Sequence, residues 1–522
     1  MVLAVPLTYH LLLILLVPLR PATGWTTVPP DTWRLERRKH HFQRHVVVTA
    51  KASASDTADR QQQQQQKQVI VVGGGVGGLA IASRIAAANP SCNVTILEKN
   101  RYVGGRCGSF EVQGAGGQKE AFRHERGPSL LLLPRFYREL FQDCCRGREK
   151  STPEDYGLLM KACIPAYQVV WNDGDRIDVG FPRSSTRSDA ELASRRKMDE
   201  IEHEGSKKWD AYMEVCKAFL DCGLPNFIEE RLDLSSFPAF LQESLKDFGR
   251  CWPLKPHSDV LAAIFTSAKM KSLSSFQDLY VGLEPYSNSN KVGGGVLETT
   301  APAVFGLLAA VELHPQSDSE LCGVYAPIGG FQKVTEAFEN LAIDLGVRIE
   351  TDTTVLKVTT DGVFYCRNSH GDTSVEKGQP EFVRADLIVV NADIPYASKV
   401  LLNSTDENPI TSKIQKGFVP RYDWEEKGEG RPMKYLFSSG VIAFHWSLDR
   451  ELADLNTHNV FLMASPSSSS SLLDKKDEEE TLLRQSWRAV RGDTSSLESF
   501  NFYVHRPSKV DPSAAPKVSF CC

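Results

Sequence analysis

The sequence predicts an α/β fold, in which a Rossmann-type dinucleotide-binding domain is interleaved with an α+β substrate domain that carries a helical cap. Three observations predict it. Val69-Ile70-Val71-Val72 is an unbroken β-branched run, which suits a strand buried on both faces. Gly73, Gly75 and Gly78 follow as G-x-G-x-x-G, where that strand should turn into a helix. Val94-Thr95-Ile96-Leu97 is a second strand closed by Glu98, about twenty residues beyond Gly78, where an acid meets a ribose hydroxyl.

Each part of this unit has its own physical reason. Gly73 allows the tight turn, Gly75 lets a pyrophosphate approach the backbone, and Gly78 lets helix and strand pack closely. Gly77 lies inside the same loop and Lys99 beside the acid, so both join the candidate nucleotide contacts. Residues 79–88 are rich in alanine and read as the helix whose N-terminal amides face the phosphates.

A chain of 522 residues with 41% hydrophobic content divides into two or more domains and fills a packed core. Its net charge of −5 gives no reason to expect a nucleic-acid partner. Twelve cysteines are scattered without a C-x-x-C or a Cys/His cluster at ligand spacing, so no metal site and no disulfide framework is indicated.

The first 66 residues stand apart. Residues 1–24 read as a secretory signal: residues 2–17 are apolar, and Ala22, Thr23 and Gly24 are small enough for cleavage. Pro6 and Pro18 break the stretch, which is too short for a membrane span. Residues 25–66 begin with Trp25, and as far as Lys51 the bases Arg34, Arg37, Arg38, Lys39, Arg44 and Lys51 outnumber Asp31 and Glu36. A signal followed by a basic, acid-poor segment resembles the two-part presequences of algae with secondary plastids, which implies delivery to the plastid. The signal lacks a basic start, so secretion or residence in the ER is the alternative. Gln61 to Gln66 reads as a linker.

Tyr102-Val103-Gly104-Gly105-Arg106 follows the acid by a few residues. Here the chain resembles the flavoprotein superfamily that includes amine oxidases, phytoene desaturases and carotenoid isomerases. The resemblance implies FAD, with Gly104 and Gly105 folding against the pyrophosphate and Arg106 adding positive charge beside it. Gly127-Pro128-Ser129, after His124-Glu125-Arg126, is similar to the F-D-x-G-P-T/S turn that packs near the flavin, with Glu125 and Arg126 departing from the pattern.

Further along, Asn172-Asp173-Gly174-Asp175 separates two short strands as a hairpin turn and opens the substrate sheet. Between residues 188 and 220, Trp209, Tyr212, Met213, Val215, Cys216, Phe219 and Leu220 recur at helical spacing. That stripe suits either a cap helix packed on the core or a helix resting on a membrane. Residues 275–286 and 301–305 resemble the helical region of bacterial-type carotene desaturases, and residues 323–331 their G-x-x-x-P-x-G-G-F turn.

The nucleotide domain then resumes. Residues 353–358 resemble the strand whose backbone contacts adenine, with Val355 at the matching position. Residues 385–393 form a buried strand with a polar end, where Asn391 and Asp393 either approach the flavin or cap the next helix. His445 and His458 lie in mixed apolar strands and read as structural, so no catalytic residue is assigned. Residues 465–480 read as a disordered insertion. Residues 507–516 resemble the family's P-S-x-x-D-P-S-x-A-P turn, and the resemblance ends there, before the last glycine-rich flavin segment that relatives carry.

The expected layout is thus leader (1–24), transit-like segment and linker (25–66), FAD-binding domain (67–150 and 323–402), and substrate domain with cap (151–322 and 403–516). The resemblance implies an FAD-dependent carotenoid oxidoreductase that desaturates phytoene-type carotenes or isomerises cis-carotenes. Its partners would be a polyene in an apolar tunnel and a peripheral membrane surface. An amine oxidase and a non-enzymatic prenyl-protein chaperone of the same fold are the alternatives.

Overall fold

The computed structural model divides the chain by its contacts into residues 1–65 and 66–522. It describes residues 66–522 apart from 114–120, 183–185, 230–237, 239–254, 282, 284, 287–300, 315–321, 371–374, 394–395, 403–440, 465–480, 488–499, 517–519 and 522. The leader, the transit-like segment, nearly all of the glutamine run and the insertion at 465–480 lie outside the described residues.

Along the chain, β1 (Gln68–Val72), α1 (Val76–Ala88) and β2 (Asn93–Leu97) come first. A hairpin of β3 (Ser109–Gln113) and β4 (Ala121–Glu125) precedes α2 (Pro134–Cys144). Next are β5 (Met160–Ala162), β6 (Tyr167–Trp171), β7 (Arg176–Val179), α3 (Asp189–Ile201) and α4 (Gly205–Gly223). Short helices α5 (His257–Ile264), α6 (Ala268–Leu273) and α7 (Leu307–Leu313) lead to β8 (Tyr325–Pro327) and α8 (Gln332–Asp344). The strands β9 (Arg348–Glu350), β10 (Thr353–Val358), β11 (Gly362–His370), β12 (Val375–Lys377), β13 (Glu381–Arg384) and β14 (Leu387–Val390) follow closely. Last are β15 (Ser447–Leu448), β16 (His458–Leu462), β17 (Phe502–His505) and β18 (Phe520–Cys521).

The nucleotide sheet has the order β14-β1-β2-β9, with all three pairings parallel. β1 lies between two neighbours, and both of its faces are covered. Val69 and Val71 point into one apolar cluster with Leu79 of α1 and Phe338 of α8, while Ile70 and Val72 point into another with Val355 and Val363. Strand side chains alternate between faces, so a strand covered on both sides is apolar at every position. Burying each such valine or isoleucine contributes roughly 1.5–3 kcal/mol. The second face is covered by β10, β11 and β13, an antiparallel sheet of its own, so Val355 sits in a layer against the nucleotide sheet.

The substrate sheet has the order β17-β16-β6-β7. β6 and β7 form the expected hairpin, in which the Gly174 amide donates to the Trp171 carbonyl (2.9 Å). The sheet's buried side chains join those of α4, α5, α6 and α7 in the largest core cluster.

Of the two readings of residues 188–220, the packed one holds. Residues 188–220 form two helices, broken where Glu204 takes a left-handed conformation (φ 54°). Trp209, Tyr212, Met213, Cys216, Phe219 and Leu220 are all buried in the substrate core. The apolar stripe is spent on packing, which leaves this helix no apolar face for a membrane.

Candidate functional site

The site is built from the loop between β1 and α1. Gly73 has φ +100°, which an L side chain rarely adopts, and its amide donates to the Leu97 carbonyl (2.9 Å). A Cβ on Gly78 would lie 2.0 Å from the Gly73 carbonyl oxygen, so the third glycine is what lets α1 start this close to β1. α1 begins after Gly75 with no side-chain cap, which leaves its first-turn amides for an anion.

The second glycine pair lies directly on this loop. The Gly104 amide donates to the Gly74 carbonyl (2.7 Å), and Gly75 and Gly104 form a parallel bridge. Gly104 has φ +104°, and a Cβ there would strike Thr335 Oγ1 at 2.5 Å. At Gly75 and Gly105 an added Cβ would instead stand in the open cradle, with its nearest neighbours at 4.0 Å (Asn391 Nδ2) and 3.5 Å (Gly75 Cα) respectively. Arg106 is exposed beside the cradle.

Glu98 ends β2 and is buried. Its Oε2 accepts from the Gly74 amide (2.7 Å), and its Oε1 accepts from the Asn100 amide (2.9 Å) and Nδ2 (2.7 Å). A carboxylate offers about four lone-pair sites, so room for about one further donor remains. Glu98 thus holds the glycine loop in shape. Lys99 is exposed, with its Nζ 6.0 Å from the Tyr396 ring.

Asn391 and Asp393 part company. The Asn391 amide continues β14 by donating to the Val72 carbonyl (2.8 Å), and its carboxamide lies 3.1 Å from where a Cβ of Gly77 would be. Asp393 is exposed at the start of the next helical turn, where its carbonyl accepts from the Ala397 amide (2.8 Å). Asn391 therefore belongs to the glycine loop, and Asp393 to a helix start.

Gly127 brings the G-P-S turn to the same place, since a Cβ on it would lie 2.3 Å from the Arg106 carbonyl oxygen. Pro128 is exposed, and Ser129 Oγ accepts from the Tyr503 hydroxyl (3.1 Å). The departures from the family pattern have structural partners. Glu125 Oε2 accepts from Ser109 Oγ (2.7 Å) and the Phe331 amide (3.0 Å), and burial, outweighing these bonds, raises its pKa. The Arg126 guanidinium stacks 4.5 Å over the Tyr102 ring. Burial, with His445 adding to it, pushes His124 down to about 4, so that ring is neutral.

Sequence reasoning gave no role to three residues that join these parts. Arg123 and Asp511 form an ion pair (2.5 Å) with side chains only 12% and 6% exposed, and Asp511 Oδ2 also accepts from the Gly329 amide (2.7 Å). The pair fastens β4, the G-G-F turn and the D-P-S turn to one another. Tyr503 is the third, and the alternation of β17 could have placed it on the buried face. Asp278, in the family-like segment, is a core residue: its Oδ2 lies 2.7 Å from His257 Nδ1, and His257 Nε2 lies 3.1 Å from the Tyr212 hydroxyl.

An uncapped helix start, an open glycine cradle and a buried acid at the end of the second strand fit a dinucleotide. Residues 71–145 match the family model for an NAD(P)-binding Rossmann-like domain. The chain is 29% identical to a phytoene desaturase of Neurospora crassa over 84% of its length and 62% of the relative's. It is 28% identical to a phytoene desaturase of Phycomyces blakesleeanus (84% of this chain, 61% of the relative). It is also 27% identical to a zeta-carotene-forming phytoene desaturase of Myxococcus xanthus (85% and 68%). A solved structure of putrescine oxidase with putrescine aligns over 88% of this chain and 84% of that one at 14% identity, with a TM-score of 0.40. The chain spans about six-tenths of the length of the first curated relatives it matches. By sequence, the chain is similar to phytoene and carotene desaturases.

Proposed function

We propose that the protein is an FAD-dependent carotenoid oxidoreductase that desaturates phytoene-type carotenes, with isomerisation of cis-carotenes as the other outcome of the same site. The observation that carries this is the Gly104–Arg106 segment lying on the Gly73–Gly78 loop, in a chain related to phytoene desaturases over more than four-fifths of its length. FAD, when bound, supplies an acceptor for a hydride from an allylic carbon. The chain's own residues would do the rest. The α1 amides and Arg106 would hold the pyrophosphate, and Glu98 the adenosine ribose. Gly127-Pro128-Ser129 would bring the cofactor against the substrate sheet.

A polyene offers no charge to grip, so it must be taken up from lipid by apolar surface. Val441, Ile442, Phe444 and Trp446 support docking on a membrane surface, being 92%, 83%, 75% and 54% exposed in an irregular segment leading to β15. Among the described residues no helix is long and apolar enough to cross a membrane. The protein loaded with FAD is expected to float with phytoene-bearing liposomes and to convert phytoene or cis-lycopene to products of changed absorption. Spectra left unchanged with both carotenes, in floated and flavin-loaded protein, would sink the proposal.

The leader is proposed to direct the chain to a plastid through the ER, on the strength of its apolar start and its basic, acid-poor continuation. Residues 1–66 fused to a fluorescent protein should mark plastids in an alga with secondary plastids. Fluorescence confined to the ER or the medium would instead support secretion.

A further inference from the structure

The buried face of the substrate sheet carries a line of polar rings where a core normally takes aliphatic side chains. His458 of β16 is directly opposite His505 of β17, and their rings stack 5.0 Å apart at 7°. Tyr503, two residues before His505, shares its face, and Tyr167 of β6 lies 5.8 Å from His458. Phe461 and Phe502 stack on the opposite face (4.5 Å), so this division follows the strand period.

Burial removes charge from this cluster. It lowers the pKa of His458, with His505 adding to the effect, and it pushes His505 down to about 3, with Arg123 adding. Tyr503 is raised by burial, which outweighs the hydrogen bond to Ser129, with Cys163 and Glu312 facing it. Glu312, buried beside Tyr167 and Gln277, is pushed up to about 8. All of these groups are neutral at pH 7. Nε2 of both His458 and His505 is buried with no hydrogen-bond partner among the described residues.

The geometry around Tyr503 is that of a shared proton. Its hydroxyl is 2.6 Å from His458 Nδ1 and 3.1 Å from Ser129 Oγ, yet it has one proton to give. In the structure Tyr503 donates to Ser129 Oγ, which leaves its oxygen to accept from His458 Nδ1–H; with both hydroxyls turned, Ser129 donates to Tyr503 and Tyr503 donates to His458 Nδ1. Only the second arrangement, with His458 in its Nε2–H tautomer, leaves Nδ1 able to take a proton from Tyr503. Ser129 lies two residues from Gly127, which touches the Arg106 carbonyl at the cradle, so the line runs from the nucleotide site into the substrate core.

We propose that Ser129, Tyr503 and His458 form a proton relay that accepts the proton lost from substrate carbon. The relay rests on the carotene reading above. As the double bond forms, one hydrogen leaves with both its electrons to the flavin. The neighbouring carbon loses a proton, and that C–H bond's electrons become the π bond. The proton passes to the Ser129 oxygen while the Ser129 proton moves to the Tyr503 oxygen and the Tyr503 proton to His458 Nδ1. It leaves to water once the product has gone. A neutral imidazole is a weak base here, but a proton beside a carbocation needs no stronger one.

The test uses the full chain loaded with FAD in phytoene liposomes. Tyr503→Phe is expected to retain flavin in full, to lose at least tenfold in desaturation rate, and to lose any solvent deuterium effect on it. His458→Gln reports the same step if Tyr503→Phe is not soluble. In flavin-free protein labelled with 15N-histidine, His458 should stay neutral and hydrogen-bonded at Nδ1 from pH 8 to 5, and its Nδ1 signal should move in Tyr503→Phe. Wild type active with Tyr503→Phe within twofold of it overturns the relay alone, as does a His458 that titrates near 6.5. Wild type inert towards every carotene overturns the carotene reading, and the relay's substrate proton falls with it.

Discussion

Gly78→Ala is expected to weaken dinucleotide binding severely and to destabilise the domain. Two effects oppose each other. Alanine inside a helix is favoured over glycine by roughly 0.5–1 kcal/mol. Against that, the new Cβ would lie 2.0 Å from the Gly73 carbonyl oxygen and 3.0 Å from Asn391 Nδ2. Overpacking costs about 1–3 kcal/mol where side chains can adjust, and here the nearer atom belongs to the backbone. The helix must therefore move away from β1, taking its first-turn amides off the phosphates. Each charge-assisted hydrogen bond to a bound pyrophosphate is worth about 1.5–3 kcal/mol, so the loss of two would weaken binding of FAD by about 100-fold or more. Flavin fluorescence titration and a thermal melt measure both effects. A G78A protein that binds FAD within threefold of the parent would show that the contact between α1 and β1 is not what shapes the cradle.

Asp511→Ala is expected to cost about 3–5 kcal/mol of stability, because it leaves the Arg123 guanidinium buried without its carboxylate. The Gly329 and Ser513 amides, which now donate to Asp511, lose their acceptor as well. Burial alone would raise the Asp511 pKa, but the Gly329 and Ser513 hydrogen bonds and the charge of Arg123 outweigh it and hold the pKa below 3.8. The folded pKa lies under the unfolded one, so this contribution is complete above about pH 4 and fades as the pH falls through the folded value. Denaturant titrations at pH 7 and pH 3 check the sign: the gap between D511A and the parent should narrow in acid. A gap of equal size at both would assign the loss to packing rather than charge.

How far the sequence discloses this fold depends on how local each cause is. β1, α1, β2 and Glu98 follow one another within about thirty residues, and an all-apolar strand before a glycine turn has few other ways to fold. The strand at Thr353–Val358 is legible as a strand, yet its membership of a separate antiparallel sheet depends on Gly362–His370 and Glu381–Arg384, which carry no signal of partner choice. The stripe from Trp209 to Leu220 shows helical spacing but not what covers it, since a core and a membrane select the same side chains. Asn391 and Asp393 look alike in sequence. Only the depth of the Gly73–Gly78 loop separates them, and depth arises from the sheet as a whole. Tyr503, Arg123 and Asp511 escape notice for the same reason, because each acts on residues more than three hundred positions away.

The parallel pairing of β1 with β14 also has a consequence in time. Val72 pairs with Val390, so the ribosome must deliver more than three hundred further residues before that edge of β1 finds its neighbour. At about 5–20 residues per second the wait is roughly 15–60 seconds. A flat, wholly apolar strand with an open row of amides and carbonyls is a template for any other extended chain. During synthesis, the same four residues that later lie buried between two apolar clusters are an open strand edge of the nascent polypeptide.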